Sequence, residues 1–231
     1  MTEKTAVKRT RSVTTEAMAE RRQSILHYAS QVISRSGVEG CSFAELSELS
    51  GFSIGMIQHY FRHRERLISA TVEYRTEETM REWQRIYANG ENALERLHDL
   101  LTFAVEGDTP FAEAWGFWLE IYAAAHKNAE IRDSVAEVLS TWRTLFVRAL
   151  EEAIEERLLN PTADVDELAT LFTAVIDGLA IQSLNNIHQS TPKTMIETLH
   201  RFAAREFGID ADEFIRNKRS KLVGVRSKGT P

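Results

Sequence analysis

The sequence predicts an all-α protein, and three observations carry that prediction. Apolar residues recur at helical spacing along most of the chain, and strand-like alternation is absent. Glycine and proline are scarce, at 11 and 4 of 231 residues, which disfavours sandwiches and barrels with their many turns. A composition of 43% hydrophobic and 27% charged residues is that of an ordinary soluble globular chain.

Two short helices are predicted between a first helix at about residues 15–36 and a fourth at about 64–88. Ser42 precedes the first of the short helices with Glu45 three residues later, the pattern of a capping box. Gly51 separates the two, because glycine takes positive φ at no steric cost. Ser53 can cap the second, which should end near residue 60. Two short helices joined by a tight glycine turn are typical of a helix-turn-helix, although a plain αα-corner in a helical core has the same pattern.

Five longer helices are predicted in the rest of the chain. They span about residues 91–106, 111–127, 129–158, 164–188 and 193–207. Pro110, Pro161 and Pro192 each follow a residue of the capping type, as expected at helix starts. We therefore expect an N-terminal helix-turn-helix domain at 1–66, a larger C-terminal helical bundle at 67–215 and a basic, mobile tail at 216–231.

Charge is unevenly distributed along the chain. Residues 1–70 carry ten Lys/Arg against seven Asp/Glu, residues 71–215 carry twelve against twenty-seven, and residues 216–231 carry six bases and no acid. A basic front on an acidic body can bind a polyanion at one end only. The bases of 8–11 form an arm that would reach the DNA backbone or a minor groove, or else a solubilising tail.

Several classes of function find no support in the sequence. The single Cys41 excludes an intrachain disulfide and a multi-cysteine zinc site, and we interpret it as a packing residue in a reducing cytosol. His59 and His63 have the spacing of a helical metal pair, but no nearby residue completes a ligand set. No apolar run approaches about 18 residues, and no apolar signal core follows the basic start. Without a phosphate loop or a nucleophile motif, we expect no enzyme, no metal site and no cofactor.

The stretch between the second and fourth helices resembles the signature of the TetR family of bacterial transcriptional repressors. The residues that carry the resemblance are Ser42, Ser50-Gly51-Phe52-Ser53, Gly55, His59-Tyr60-Phe61 and Arg64-Glu65. The runs 55–61, 115–118 and 175–179 are similar to the subfamily that regulates choline-to-glycine-betaine genes. The resemblance implies a dimer with two DNA-reading heads and a ligand-binding body. Many relatives carry other residues at Met56 and Gln58, which leaves the operator sequence open.

The residue types around the third helix suit contact with DNA. Hydroxyls and backbone N–H groups at Ser42 and Ser53 can face a phosphate, and Gly55 lets the helix approach the groove closely. Gln58 can hydrogen-bond a base edge. The predicted DNA-binding residues are Ser42, Ser53, Ile54, Gly55, Met56, Gln58, His59, Tyr60 and Arg64.

Aromatic residues on two body helices predict either a core or a ligand pocket. Such stripes are usually core, yet two facing aromatic helices can also form an apolar pocket, and the family resemblance favours the pocket. The predicted ligand-binding residues are Phe103, Trp115, Trp118, Tyr122, Trp142 and Phe146. The subfamily resemblance suggests choline or betaine, and an aromatic or lipid-like metabolite would suit the same rings.

The last two long helices carry more apolar residues than a peripheral helix pair should expose. The predicted dimer residues are Leu168, Leu171, Phe172, Val175, Leu179, Leu199 and Phe202, and their packing into a monomer core is the alternative. The sequence thus predicts a cytoplasmic, homodimeric repressor that a small-molecule inducer releases from a pseudo-palindromic DNA operator. The alternative is an all-helical carrier or adaptor protein that does not bind DNA.

Overall fold

The structure, a computed structural model, describes residues 3–107, 109–161 and 163–216, with side chains from residue 16 onward apart from 213, 215 and 216. Helices dominate the described residues, and no strand occurs among them. The helices are α1 Glu3–Gly40, α2 Phe43–Ser50, α3 Ile54–Phe61, α4 Arg64–Asn89, α5 Ala93–Glu106, α6 Phe111–Ala125, α7 Ala129–Glu155, α8 Val165–Leu184, α9 Pro192–Phe207 and α10 Ala211–Arg216. A 3₁₀ turn at Ile187–Gln189 follows α8. The predicted all-α fold is confirmed.

Helix α1 starts earlier and ends later than predicted. It begins at Glu3 rather than near residue 15, because no glycine or proline interrupts the chain before Gly37. Gly37, at φ 71°, breaks the helical backbone at the place where the loop was predicted. The backbone of the basic arm at residues 8–11 therefore belongs to α1, and its side chains lie outside the described part of the chain.

The predicted helix caps are present, with one difference in the capping box at α2. The hydroxyl of Ser42 accepts from the backbone N–H of Glu45 at 3.1 Å, as predicted. The backbone N–H of Ser42 donates to the carbonyl of Gly40 at 2.8 Å. In a capping box this N–H would donate to the side chain of Glu45, so the Gly40 carbonyl replaces that side chain as the acceptor. A complete capping box forms instead at α9, between Thr191 and Thr194.

Two helix ends and one additional short helix differ from the predictions. Helix α7 ends at Glu155 rather than 158, and Arg157 has φ 58°. Helix α8 ends at Leu184 rather than 188, because Asn186 takes the left-handed conformation that asparagine tolerates well. The short helix α10 was not predicted, since six residues are too few for a periodicity to show.

Packing divides the chain into two compact units. The first comprises Met1–Glu78 and Gly116–Val135, and the second comprises Thr79–Trp115 and Ala136–Pro231. The predicted domains follow the chain in order, whereas the first unit includes most of α6 and the start of α7. The predicted mobile tail lies outside the described residues from 217 onward.

In the first unit, α2 and α6 pack on α1, and α3 packs on α2. The side chains of Ile33, Leu46 and Ile57, one from each of α1, α2 and α3, have no exposed surface. Helix α6 approaches α1 closely at Gly116, where a Cβ would lie 3.2 Å from the backbone oxygen of Ser34. This position therefore accommodates only glycine without a shift of one helix.

The second unit is held by a continuous series of aromatic contacts. The ring pairs are Trp83–Trp142 at 4.9 Å, Trp142–Phe146 at 5.6 Å, Phe146–Phe172 at 4.9 Å, Phe172–Phe207 at 5.3 Å and Phe207–Phe214 at 5.9 Å. Phe214, from α10, is 1% exposed and also contacts His98 and His200. Burial of such rings is the main source of stability in a helical core.

Helix α8 is long and apolar enough to cross a membrane by length and composition alone, a test that core helices of soluble proteins also pass. It contains three carboxylates, including Asp177, and its Leu168 and Phe172 side chains are fully buried in the second unit. We interpret α8 as a core helix with one exposed apolar face.

Candidate nucleic-acid interface and ligand site

Helices α2 and α3 form the helix-turn-helix that the sequence predicted. Gly51 links them at φ 74°, and its N–H donates to the carbonyl of Ser47 at 3.0 Å, which closes the end of α2. Leu46 of α2 and Ile57 and Phe61 of α3 are buried, at 2% exposure or less. Burial of one side of α3 leaves its other side available to a partner.

The predicted DNA-binding residues between Ser53 and Tyr60 share α3 and its N-cap. Those with an exposed side chain or backbone are Ser53, Ile54, Gly55, Gln58 and His59, whereas Met56 and Tyr60 are half-buried. The Ser53 hydroxyl accepts from the N–H of Met56 at 3.2 Å and fixes the start of α3. Ser42 is half-buried at the start of α2. The structure thus brings the residues of α3 together on one short, partly exposed helix.

Gly55 stands on α3 without a neighbour that requires a glycine. A Cβ built at this position meets no described atom within 4 Å. A glycine inside a helix costs about 1 kcal/mol relative to alanine. Packing within the described chain therefore does not explain this residue, and a partner that approaches the helix closely would explain it.

Arg64 has partners inside the protein. Its Nε donates to the carbonyl of Cys41 at 2.9 Å, its Nη2 donates to the carbonyl of Val38, and Nη2 lies 3.6 Å from a carboxylate oxygen of Glu39. The side chain is 31% exposed. Its predicted contact with a DNA phosphate stays a prediction, and the structure adds a role in holding the end of α1.

Arg62 is a candidate that the sequence reasoning did not select. Its backbone N–H ends α3 by donating to Gln58 at 2.9 Å, with φ 57° and ψ −52°, and the residue is exposed. An exposed cation one residue beyond a recognition helix is well placed for a phosphate. The signal in the sequence was its position, directly after the aromatic end of the third helix.

The six predicted ligand-binding rings fall in both units. Trp118 and Tyr122 lie in the first unit, half-buried on α6 with ring centroids 6.4 Å apart. In the second unit, Phe103 is half-buried, Trp115 and Trp142 are each 9% exposed and Phe146 is fully buried. The indole N–H of Trp115 donates to the carbonyl of Ala104 at 2.9 Å. Their role in ligand binding stays a prediction.

The second unit contains a cavity of about 590 Å³. This volume is within the range of cavities that bind small molecules. Its walls include Trp83 and Tyr87 of α4, Arg96 of α5 and Arg148 of α7. None of the six predicted rings lines it, although Trp142 packs on the Trp83 wall. A sequence signal for these residues existed in the Trp83–Tyr87 pair, which has i, i+4 spacing on one helix.

A family model described as BetI-type transcriptional repressor, C-terminal, matches residues 93–208 of the chain. The chain belongs to the BetI-type family of transcriptional repressors. This match covers the body from the start of α5 to the residue after α9, and it accompanies the N-terminal helix-turn-helix described above. A BetI-type repressor is a DNA-binding regulator with a ligand-binding C-terminal domain, as the sequence resemblance implied, and the family is one of regulators rather than enzymes.

Curated relatives support the same assignment to the BetI-type repressors. The HTH-type transcriptional regulator BetI of Rhizobium meliloti (strain 1021) is 26% identical over 167 residues, which are 72% of this chain and 79% of the relative. The HTH-type transcriptional regulator PksA of Bacillus subtilis (strain 168) is 23% identical over 165 residues, 71% of this chain and 79% of the relative. Both matches extend beyond the part covered by the family model.

Solved structures share the fold of this BetI-type repressor. A putative transcriptional regulator from Saccharomonospora viridis, in complex with choline, has a TM-score of 0.73 at 23% identity and covers 80% of this chain and 95% of its own. A putative TetR-family regulator from Rhodococcus sp. has a TM-score of 0.70 at 23% identity, with 82% and 99% covered.

The predicted dimer residues of this BetI-type repressor differ in exposure. Leu168, Phe172 and Leu199 have no exposed surface in the second unit, so within the chain they act as core residues. The other four are Leu171, which is 39% exposed, and the half-buried Val175, Leu179 and Phe202. The exposed apolar face of α8 also includes Ile181, at 43% exposure, which the sequence reasoning did not select.

Proposed function

We propose that two copies of this chain bind a pseudo-palindromic DNA operator through Ser53–Tyr60 of each copy, and that a small molecule bound in the body releases them. Repression acts on DNA in the cytoplasm, which is therefore the proposed location. A two-fold dimer presents two identical reading helices to the two halves of a palindrome. The release needs a coupling of only about 1–3 kcal/mol between the ligand and DNA sites.

The observation that carries the proposal is the exposed side of α3. Ile54 is 44% exposed at the start of the helix, Gln58 and His59 follow on the same element, and Gly55 has open space before it. An amide side chain such as that of Gln58 can bond a base edge, and an apolar side chain such as that of Ile54 can contact the methyl group of thymine. Phosphate contacts from the ends of α3 would position the helix without reading sequence.

The proposed dimer uses α8 together with α9. Leu171 and Ile181 are exposed apolar residues on α8, and Gly178 lies between them in sequence. A Cβ at Gly178 would meet no described atom within 4 Å, so this helical glycine, like Gly55, has no explanation within the described chain. Close approach of a partner's helix would explain it.

The inducer is proposed to bind in the body. The six predicted rings remain proposals for its walls, and Trp118 is the ring to test first because it is half-buried and therefore accessible to a ligand. Trp118→Ala should abolish the fluorescence response to an inducer and leave operator affinity intact. If Trp118→Ala leaves ligand release of DNA unchanged, this ring belongs to the packing of α6.

The test of DNA binding is a fluorescence anisotropy titration of full-length protein with duplexes tiled across the DNA that flanks its gene. We expect one fragment to bind with steep salt dependence, and Gln58→Ala to weaken binding and alter sequence preference. Ser140→Ala, at an exposed position of α7, is the matched control and should bind as the wild type does. Salt-independent or absent binding on every DNA fragment would favour the carrier or adaptor alternative. The dimer is tested separately by light scattering, and a monomer at micromolar concentration would contradict it.

A further inference from the structure

The cavity in the second unit is a polar site with an aromatic wall. Trp83 and Tyr87 stand one helical turn apart on α4, and Arg96 of α5 and Arg148 of α7 provide its charged groups. Met80 and Leu145 complete an apolar part of the lining. A volume of about 590 Å³ suits a small molecule of one or two rings.

The charged groups of the lining leave an excess of positive charge. The carboxylate of Glu152 accepts from Arg96 Nη1 at 3.0 Å and from Arg148 Nε at 2.9 Å. One carboxylate thus faces two guanidinium groups, since the lining contains no other acid among the described residues. The nearby Glu156 accepts from the backbone N–H of Ala93 at 3.1 Å, at the start of α5. An anion would balance the remaining charge.

Two hydrogen-bond donors in this wall lack an acceptor. The indole Nε1 of Trp83 and the Nε of Arg96 are buried and have no hydrogen-bond partner among the described residues. Both residues line the cavity, and Trp83 is 4% exposed. A buried donor without an acceptor destabilises the protein, and an acceptor brought by a ligand would remove that cost.

The ring of Tyr87 already has cationic partners. The Cζ atoms of Arg96 and Arg148 lie 5.8 Å and 5.2 Å from its centroid, and its hydroxyl donates to the carbonyl of Leu145 at 2.9 Å. Burial, and then the charge of Glu152, raise the pKa of Tyr87 to about 12, so the ring stays neutral. A quaternary ammonium ion that sought this ring would meet two guanidinium groups there, and their repulsion disfavours it.

We propose that this cavity binds a small aromatic carboxylate, whose oxygens accept from Trp83 and Arg96, and that it discriminates against quaternary ammonium compounds. This inference rests on the proposed ligand-responsive function. It places the ligand in this cavity instead of among the six predicted rings, and it names the chemical class of that ligand. The choline bound by the Saccharomonospora viridis regulator is a cation, so the two proteins would share a fold and differ in ligand class.

The test compares charged and uncharged versions of the same molecules. Phenylacetate, indole-3-acetate and 1-naphthoate, their three amides, and choline are titrated into full-length protein by calorimetry. We expect at least one carboxylate to bind ten times more tightly than its amide, and choline not to bind. Tighter binding of choline than of every carboxylate, or equal binding of each acid and its amide, would overturn the proposal, as would failure of every acid to bind at millimolar concentration.

Two variants locate the site, each with a matched control. Trp83→Phe removes the indole N–H and keeps an aromatic ring. Arg148→Gln removes an exposed charge of the lining. Each variant should lower the affinity for the carboxylate about tenfold. The controls are Tyr28→Phe, which removes a polar hydrogen from a half-buried ring of the first unit, and Arg143→Gln on the same helix as Arg148. Both should bind the carboxylate as the wild type does. Unchanged carboxylate binding in both test variants would place the site elsewhere.

Operator binding of the free protein is measured in the same preparations. A protein that binds operator DNA but shows no preference for the acids contradicts this inference alone. A protein that binds no DNA contradicts the proposed repressor mechanism, whatever the calorimetry shows.

Discussion

Arg64 Nε donates to the backbone carbonyl of Cys41 at 2.9 Å, and so the first residue of α4 holds the chain that leaves α1. The same guanidinium donates through Nη2 to the carbonyl of Val38. Carbonyls at the end of a helix lack partners within the helix, and a side-chain donor that reaches two of them fixes the direction of the following loop. That loop leads directly to Ser42 and the helix-turn-helix.

We predict that Arg64→Gln lowers both the stability of the protein and its affinity for DNA. Loss of charge-assisted hydrogen bonds to two partly buried carbonyls should cost about 1–3 kcal/mol in the free energy of unfolding. Arg62→Gln is the comparison, because Arg62 is an exposed cation two residues away and should lower DNA affinity alone. Urea denaturation and anisotropy titrations measure the two effects. Unchanged stability in Arg64→Gln would contradict the role of Arg64 in holding the end of α1.

Cys41 is predicted to be unreactive in the folded protein. Its side chain has no exposed surface, and burial raises the pKa of the thiol to about 11, although the charge of Arg64 opposes the shift. The thiolate is the reactive species, so very little of it exists below pH 9. Iodoacetamide at pH 8 should label Cys41 only after the protein is unfolded in urea, as measured by intact mass. Rapid labelling of the native protein would instead indicate a redox-accessible site.

The helix-turn-helix could be predicted from local sequence because local chemistry determines it. Ser53 before an apolar run fixes the start of α3, and Gly51 between two short helices fixes the turn. The second role of Arg64 was not visible, because its acceptors are backbone carbonyls 23 and 26 residues away and no side-chain pattern encodes them.

The cavity and the exposed apolar face of α8 were harder to predict for a related physical reason. Periodicity shows that Leu168 and Leu171 both belong to an apolar side of α8, but only packing shows that the first is buried and the second 39% exposed. The cavity lining joins Trp83, Arg96 and Arg148 from three helices, and each looks ordinary in its own segment. Tertiary contacts, which one sequence does not reveal, decide both cases.

Gly55→Ala should make the protein more stable and a weaker DNA binder. Alanine favours a helix over glycine by about 1 kcal/mol, and the added Cβ meets no described atom within 4 Å. In the proposed complex with DNA, the same Cβ would stand where α3 approaches the major groove. Denaturation midpoints measure the expected gain in stability, and anisotropy titrations with the operator measure the expected loss of DNA affinity. Thr144→Ala, on an exposed part of α7, is the control for helix propensity alone. Wild-type affinity in Gly55→Ala would place the DNA surface elsewhere on the first unit.

We predict that the free energy of unfolding falls as the pH rises through the range in which Asp177 ionises. Burial raises the pKa of this carboxyl from 3.8 to about 6. Below pH 3.8 the group is neutral in the folded and unfolded states, and between 3.8 and 6 the unfolded chain ionises first. The folded state therefore loses relative stability through this interval, by about 3 kcal/mol in total from the size of the shift, and the loss is complete above pH 6.

Asp177→Asn should remove this dependence. The variant should be more stable than the wild type at pH 7.5, and the difference should shrink towards zero near pH 4, because the wild-type carboxyl is then neutral as well. Urea denaturation at a fixed subunit concentration across this range measures the difference, since the proposed dimerisation would make stability depend on concentration. Asp133→Asn, at an exposed position of α7, controls for the removal of one carboxylate. A gain that stays constant from pH 4 to 7.5 would mean that the asparagine acts through a new hydrogen bond and that the burial of the Asp177 charge is not the cause.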